Sequence, residues 1–153
     1  GKKASDKARA IAHTYLRHLM DSISACRVNP HLIVMGDFND YPTSKQVQRN
    51  FSGYVNLMLP LQKALMKGRL SYGSHKYAGE WGFLDHFLVN VSMTDTLQTV
   101  HVVNPRSFAM PFMLIDDEKR LGVRPKRSRY GYQYEGGYSD HLPILLDLMI
   151  RKK

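Results

Sequence analysis

The sequence predicts an α/β (α+β) fold in one structural unit spanning residues 1–153, and three observations carry that prediction. Residues 4 to about 26 place apolar side chains at helical spacing. His31-Leu32-Ile33-Val34-Met35 and Leu142-Pro143-Ile144-Leu145-Leu146 are short apolar runs of strand length. Each run meets an acidic signature, Gly36-Asp37-Phe38-Asn39 after the first and Ser139-Asp140-His141 before the second. Ionisable residues at the ends of buried strands are where open α/β sheets keep their ligand sites.

In the long helix, Ala4, Ala8, Ile11, Ala12, Tyr15, Leu16, Leu19, Met20 and Ile23 gather on one face. Ser5 or Asp6 is a candidate cap, and Pro30 ends the segment by biasing Asn29 away from helical angles. Residues 31–35 read as a strand covered on both faces. Asp40-Tyr41-Pro42-Thr43 is a turn, from which Thr43 or Ser44 starts a short helix through about Phe51. A second helix is expected over 55–66 despite Pro60, and an exposed strand or hairpin arm over 71–79. Over 81–91 a strand turns Phe83, Asp85, Phe87 and Val89 to one face and Leu84, His86 and Leu88 to the other. Residues 97–103 are a further strand, 116–137 a long surface loop or irregular hairpin, and 142–149 the closing strand. No linker or internal repeat divides the chain.

A domain of 153 residues buries roughly 70% of its unfolded surface, enough for a core without disulfides. The single cysteine, Cys26, excludes an internal disulfide framework and a cysteine-rich zinc site. No apolar stretch approaches the roughly 20 residues that cross a bilayer. The formal charge of +9 is uneven, crowded at Lys2, Lys3, Lys7 and Arg9 and again between Lys119 and Arg129. Such surfaces attract polyanions, although a merely solvated surface gives the same charge. Gly-rich phosphate loops, Gly-x-Ser-x-Gly elbows and His-Glu-x-x-His helices are absent from the sequence. Asp37-Phe38-Asn39 shares two residues with the kinase Asp-Phe-Gly tripeptide, but no catalytic-loop or lysine signature accompanies it.

Gly36-Asp37-Phe38-Asn39, Trp81-Gly82-Phe83-Leu84-Asp85-His86 and Ser139-Asp140-His141-Leu142-Pro143 together, in this order, resemble the later motifs of the endonuclease/exonuclease/phosphatase family. The resemblance implies half of a four-layer αββα sandwich, deoxyribonuclease I-like. The chain is then the C-terminal half of a domain whose N-terminal half, with a metal-binding Glu, lies upstream. Such a half would leave a sheet face and an edge uncovered, so the isolated chain is expected either to self-associate or to be stable only after cleavage within an already folded parent.

The activity implied is metal-dependent hydrolysis of phosphate esters with magnesium or manganese, on nucleic acid, phospholipid headgroups or small phosphoesters. The resemblance gives Asp37 the activation of water and Asn39 a hydrogen bond to phosphate or a place in the metal environment. It gives Asp140 a direct or water-mediated metal contact, His141 the scissile phosphate or acid/base work, and Asp85 the orientation of an upstream His. The catalytic set is thus Asp37, Asn39, Asp85 and His141, and the metal set Asp140, Asp37 and Asn39.

Each residue also has a plainer role. Asp37 suits a turn, Asn39 an Asx turn into Tyr41-Pro42, Asp85 satisfaction by backbone donors, and His141 a structural imidazole. Asp140 and His141 are adjacent and point apart on an extended backbone, so both reach one site only if the chain bends. His86, His13, His18, His31, His75 and His101 lack metal-ligand spacing and are read as core or surface histidines. Tyr130, Tyr132, Tyr134 and Tyr138, interleaved with Arg127 and Arg129, either stack on bases or, as preferred here, pack on one face. The rival to the hydrolase is a non-catalytic polyanion-binding module, or inactive fragment, on the same scaffold.

Overall fold

The computed structural model describes residues 2–151 and begins with helix α1 (Lys2–Ala25). Only one stripe of α1 enters the core: Met20 is fully buried, Leu16 is partly so, and His13 packs against the rings of Phe38 and Phe51. Ile11, Tyr15, Leu19 and Ile23 stay exposed, so the broad apolar face expected from the sequence is split in two. Ser5 and Asp6 lie inside the helix rather than capping it, and Asp6 pairs with Arg9 one turn on.

Strand β1 (Ile33–Asp37) starts two residues later than expected and runs into the acidic signature. Its ladder with β5 (Asp85–Asn90) extends to the pair Asp37–Asp85. Nor is β1 covered on both faces, for Met35, Gly36 and Asp37 are exposed. Ser44 caps α2 (Lys45–Asn50), its hydroxyl accepting from the Val47 N–H at 3.2 Å. The helix expected over 55–66 begins instead as strand β2 (Tyr54–Asn56), because β5 offers its second edge there. Pro60 then opens α3 (Leu59–Met66) from the first turn, where its missing N–H costs nothing.

The strand expected over 81–91 divides. Hairpin β3 (His75–Tyr77) and β4 (Glu80–Gly82) ends at Gly82, and β5 starts at Asp85. Side chains take the intervening donors out of any ladder: Phe83 N–H donates to Gln62 Oε1 at 2.8 Å, and Leu84 N–H to Ser74 Oγ at 3.2 Å. Beyond β5 come β6 (Val100–Ser107), the hairpin β7 (Leu114–Asp116) and β8 (Val123–Pro125), the hairpin β9 (Arg129–Tyr130) and β10 (Gln133–Tyr134), and β11 (Ile144–Ile150), which pairs with β6. Within 116–137 the expected irregular hairpin is therefore two short ones.

All strand pairs are antiparallel, in one three-stranded sheet ordered β1-β5-β2 and four two-stranded ones. The two acidic residues Asp37 and Asp85 lie at facing ends of antiparallel neighbours. Strand β5 separates two cores: Phe83, Phe87 and Val89 pack with Met58 and Met93, while Leu88 packs with Met20, Val47 and Phe51. The alternation read from the sequence holds on both faces, and each fully buried side chain contributes about 1.5–3 kcal/mol. No helix among the described residues is long and apolar enough to cross a membrane.

Gly73 and Gly82 meet where the β3–β4 hairpin closes on the loop before β5. A Cβ on Gly73 would stand 2.3 Å from the Gly82 carbonyl oxygen, a backbone atom that cannot swing aside. Gly73→Ala should therefore lower stability by about 1–3 kcal/mol through overpacking. An unchanged urea midpoint would show that the hairpin tolerates the methyl group.

Candidate functional site

Three backbone relations assemble the site. The β1–β5 register sets Asp37 opposite Asp85, an antiparallel bridge sets His75 opposite His141, and Ser74 ties the two together. Ser74 is fully buried. Its hydroxyl accepts from the N–H groups of Leu84 and Asp85 at 3.2 and 3.3 Å, its carbonyl accepts from Leu142 N–H at 2.6 Å, and its own N–H donates to Gly82 at 2.9 Å. One residue thus fixes the start of the strand bearing Asp85 and the chain just past His141.

Asp85 and His141 are joined side chain to side chain, Oδ2 to Nδ1 at 2.6 Å, with exposures of 17% and 21%. Burial alone would raise the Asp85 carboxyl, but hydrogen bonds from His141 and Ser74 outweigh it and hold the group below the usual carboxylate range. The same bond, against the opposing effect of burial, raises His141 above an ordinary histidine. The resemblance had Asp85 orienting an imidazole supplied from upstream. Within this chain the imidazole on Asp85 is that of His141, brought over by the turn at Ser139, whose hydroxyl accepts from His141 N–H at 3.1 Å.

That turn also supplies the bend that Asp140 needs. Asp140 is exposed, and His75, Asp140 and His141 each offer a ligand atom within 4.8 Å of the others. The rings of His75 and His141 lie 4.6 Å apart at 38°. His75 is lowered by burial first and by the neighbouring His141 next. The negative charges of Asp37 and Asp140 favour the protonated form of both imidazoles.

Asp37 is held by its neighbour. The Asn39 N–H donates to Oδ1 at 2.7 Å and Asn39 Nδ2 donates to Oδ2 at 3.0 Å, with Asn39 at φ +50°. This is an Asx turn with Asp37 as its acceptor, in keeping with the turn role read for Asp37, whereas the turn expected from Asn39 into Tyr41-Pro42 is replaced by Tyr41 N–H donating to Asp40 Oδ1.

The plain reading stands for His86, which is fully buried, stacks on Phe38 at 4.6 Å and is pushed down to about 4 by burial. His13 and His101 are buried, and His18 and His31 are exposed. His75 is the exception that sequence spacing missed. No linear interval joins it to Asp140-His141, and its available signal was the preceding Gly73-Ser74, small residues that let two backbones approach. The tyrosines do not pack on one face: all four are exposed, and Lys119, Arg124 and Arg127 stand 4.8, 5.0 and 5.4 Å from the Tyr130 ring. Among the described residues no glutamate joins the site. Glu80 and Glu118 line a separate pocket with residues 116–122, and Glu135 is paired with Arg124.

A carboxylate-backed imidazole beside exposed acids and an amide can hold a divalent cation, polarise water and donate to an anionic oxygen, which is the equipment of a phosphoester-cleaving hydrolase. The model of the Endonuclease/Exonuclease/phosphatase family matches residues 1–151, and the chain belongs to that family. No curated protein and no solved structure matches it.

The Asp85–His141 pair has a definite pH signature in metal-free protein. The raised His141 stabilises the fold fully below the ordinary histidine value and loses that contribution as pH rises through its own midpoint. The lowered Asp85 contributes fully above the ordinary carboxylate value and loses it as pH falls through its midpoint. Asp85→Asn should therefore cost most stability in mildly acidic solution, between those ordinary values, and should lower the His141 midpoint seen by NMR. An unmoved midpoint would mean that the carboxylate does not hold the imidazole in solution.

Proposed function

We propose that the chain forms the catalytic face of a metal-dependent phosphoester hydrolase, and the observation that carries this reading is the Asp85–His141 hydrogen bond set beside Asp140 and Asp37. The oxygen donors of Asp37, Asn39 and Asp140 fit magnesium or manganese, which bind through one or two carboxylates, keep several waters and take up phosphate oxygens. When bound, such a cation supplies a positive charge against the phosphoryl oxygens. Asp37, fixed by Asn39, accepts the proton of the attacking water. His141 donates from Nε2 to a phosphoryl oxygen, while Asp85 holds Nδ1 and so the plane of the ring.

The same reading takes the described residues as half of a deoxyribonuclease I-like sandwich. The earlier half would bring the glutamate that the site's own surroundings do not supply, and full turnover would depend on it. The cluster of Lys119, Arg124 and Arg127 around the exposed Tyr130 ring supports a polyanionic substrate. It equally supports the second reading, a polyanion-binding module without turnover.

Full-length protein assayed with magnesium or manganese against nucleic acid, lipid headgroup and small phosphoester substrates decides between them. Asp37→Asn and His141→Ala should each reduce kcat by roughly 10²- to 10⁴-fold. Salt-sensitive binding with no turnover on any substrate would favour the module, and full activity in either variant would remove these roles.

A further inference from the structure

The bridge between His75 and His141 brings together a second set of donors, different in kind from the oxygens of Asp37 and Asn39. We propose that His75, Asp140 and His141 form a binding site for zinc, and that zinc there withdraws His141 and Asp140 from the hydrolytic arrangement. The inhibitory half of this inference rests on the hydrolase reading; the zinc site does not.

The donor chemistry favours a borderline cation. Two imidazoles and one carboxylate are a zinc set, whereas magnesium takes oxygen ligands and gives up water reluctantly. Three protein ligands leave the fourth tetrahedral position to water. With zinc–ligand bonds of about 2.0–2.1 Å, tetrahedral donors stand about 3.3 Å apart. The three side chains, within 4.8 Å of one another, need only close in, and the exposed Asp140 has room to do so.

The backbone is ready for the ion. His75 and His141 are held opposite each other by their β-bridge, and the Ser74 carbonyl fastens the residue after His141. Because Asp85 occupies Nδ1 of His141, Nε2 is the nitrogen left for coordination. A carboxylate behind a ligating imidazole is the usual outer support of zinc sites, fixing the tautomer and strengthening the ligand. Coordination of Nε2 removes the atom that would donate to phosphate. Asp140 is diverted in the same event, so zinc competes with substrate and hard cation together.

Calorimetric titration of the metal-free full chain with Zn²⁺, with Co²⁺ as a visible-absorption probe, tests the site without any turnover. One equivalent should bind, the Co²⁺ spectrum should be that of a four-coordinate nitrogen and oxygen site, and excess Mg²⁺ should not displace the ion. Loss of the outer carboxylate in Asp85→Asn should weaken binding roughly 10- to 100-fold, and loss of a ligand in His75→Gln or Asp140→Asn at least as much. Asp140 is exposed, so its variant keeps the test open should His75→Gln fail to fold. His18→Gln, at an exposed helix position, should bind zinc like the parent.

Undiminished binding in both ligand variants would overturn the site. In the magnesium-supported assay, zinc should inhibit at the concentrations that fill the titrated site, and His75→Gln should resist it. Bound zinc with unchanged turnover overturns the inhibitory role and leaves the site standing. Absence of magnesium-supported turnover overturns the hydrolase reading, and inhibition with it, while the titration still decides the site.

Discussion

Ser74 is the knot of this structure. It has no room for solvent, and its hydroxyl, carbonyl and N–H join the junction between β4 and β5 to the segment after Asp140-His141, far along the sequence. Backbone donors buried there would each cost about 1–3 kcal/mol if left unpaired, so these bonds specify geometry more than they add net stability. The glycines serve the same purpose, since a Cβ on Gly73 would run into the Gly82 backbone and one on Gly82 into the Tyr41 ring. The pairing of Asp85 with His141 follows from that approach.

A second layer of restraint surrounds the first. Lys76 sits one residue beyond His75, almost fully buried, with its ammonium 3.0 Å from Asp117 and 2.8 Å from the Leu121 carbonyl. This ion pair fastens the β3–β4 hairpin to the loop that carries Lys119, one of the cations around Tyr130. The basic patch and the imidazole pair are therefore mounted on connected pieces of backbone.

Much of this was legible in the sequence because it depends on local pattern. The alternation through Phe83, Asp85, Phe87 and Val89 named one face of β5, and Leu88 with His86 the other; both faces found their own core. Ser44 as a cap and Asp37 as a turn former are read within a few residues. What escaped was set by partners distant in sequence. Residues 54–56 became a strand because β5 had an open edge, a fact no local propensity records. His75 joined the site through a bridge to His141, and Asp85 found its imidazole in the same chain. The exposed apolar stripe of α1 was hidden for the same reason, because periodicity shows which residues share a helix face and not how much of that face a neighbour covers.

The position of β5 between two apolar cores has a consequence for how the chemistry is inherited. Side chains alternate along a strand, so a slip of one residue would exchange the two faces, sending His86 to the place of Asp85 and Asp85 into hydrocarbon. What forbids the slip is the fit of Phe87 and Leu88 on opposite sides of the ribbon. Reactivity at one end of this ribbon is thereby indexed by grease along its length, and a bulky hydrocarbon replacement several residues away can silence the polar groups while leaving every one of them in the sequence.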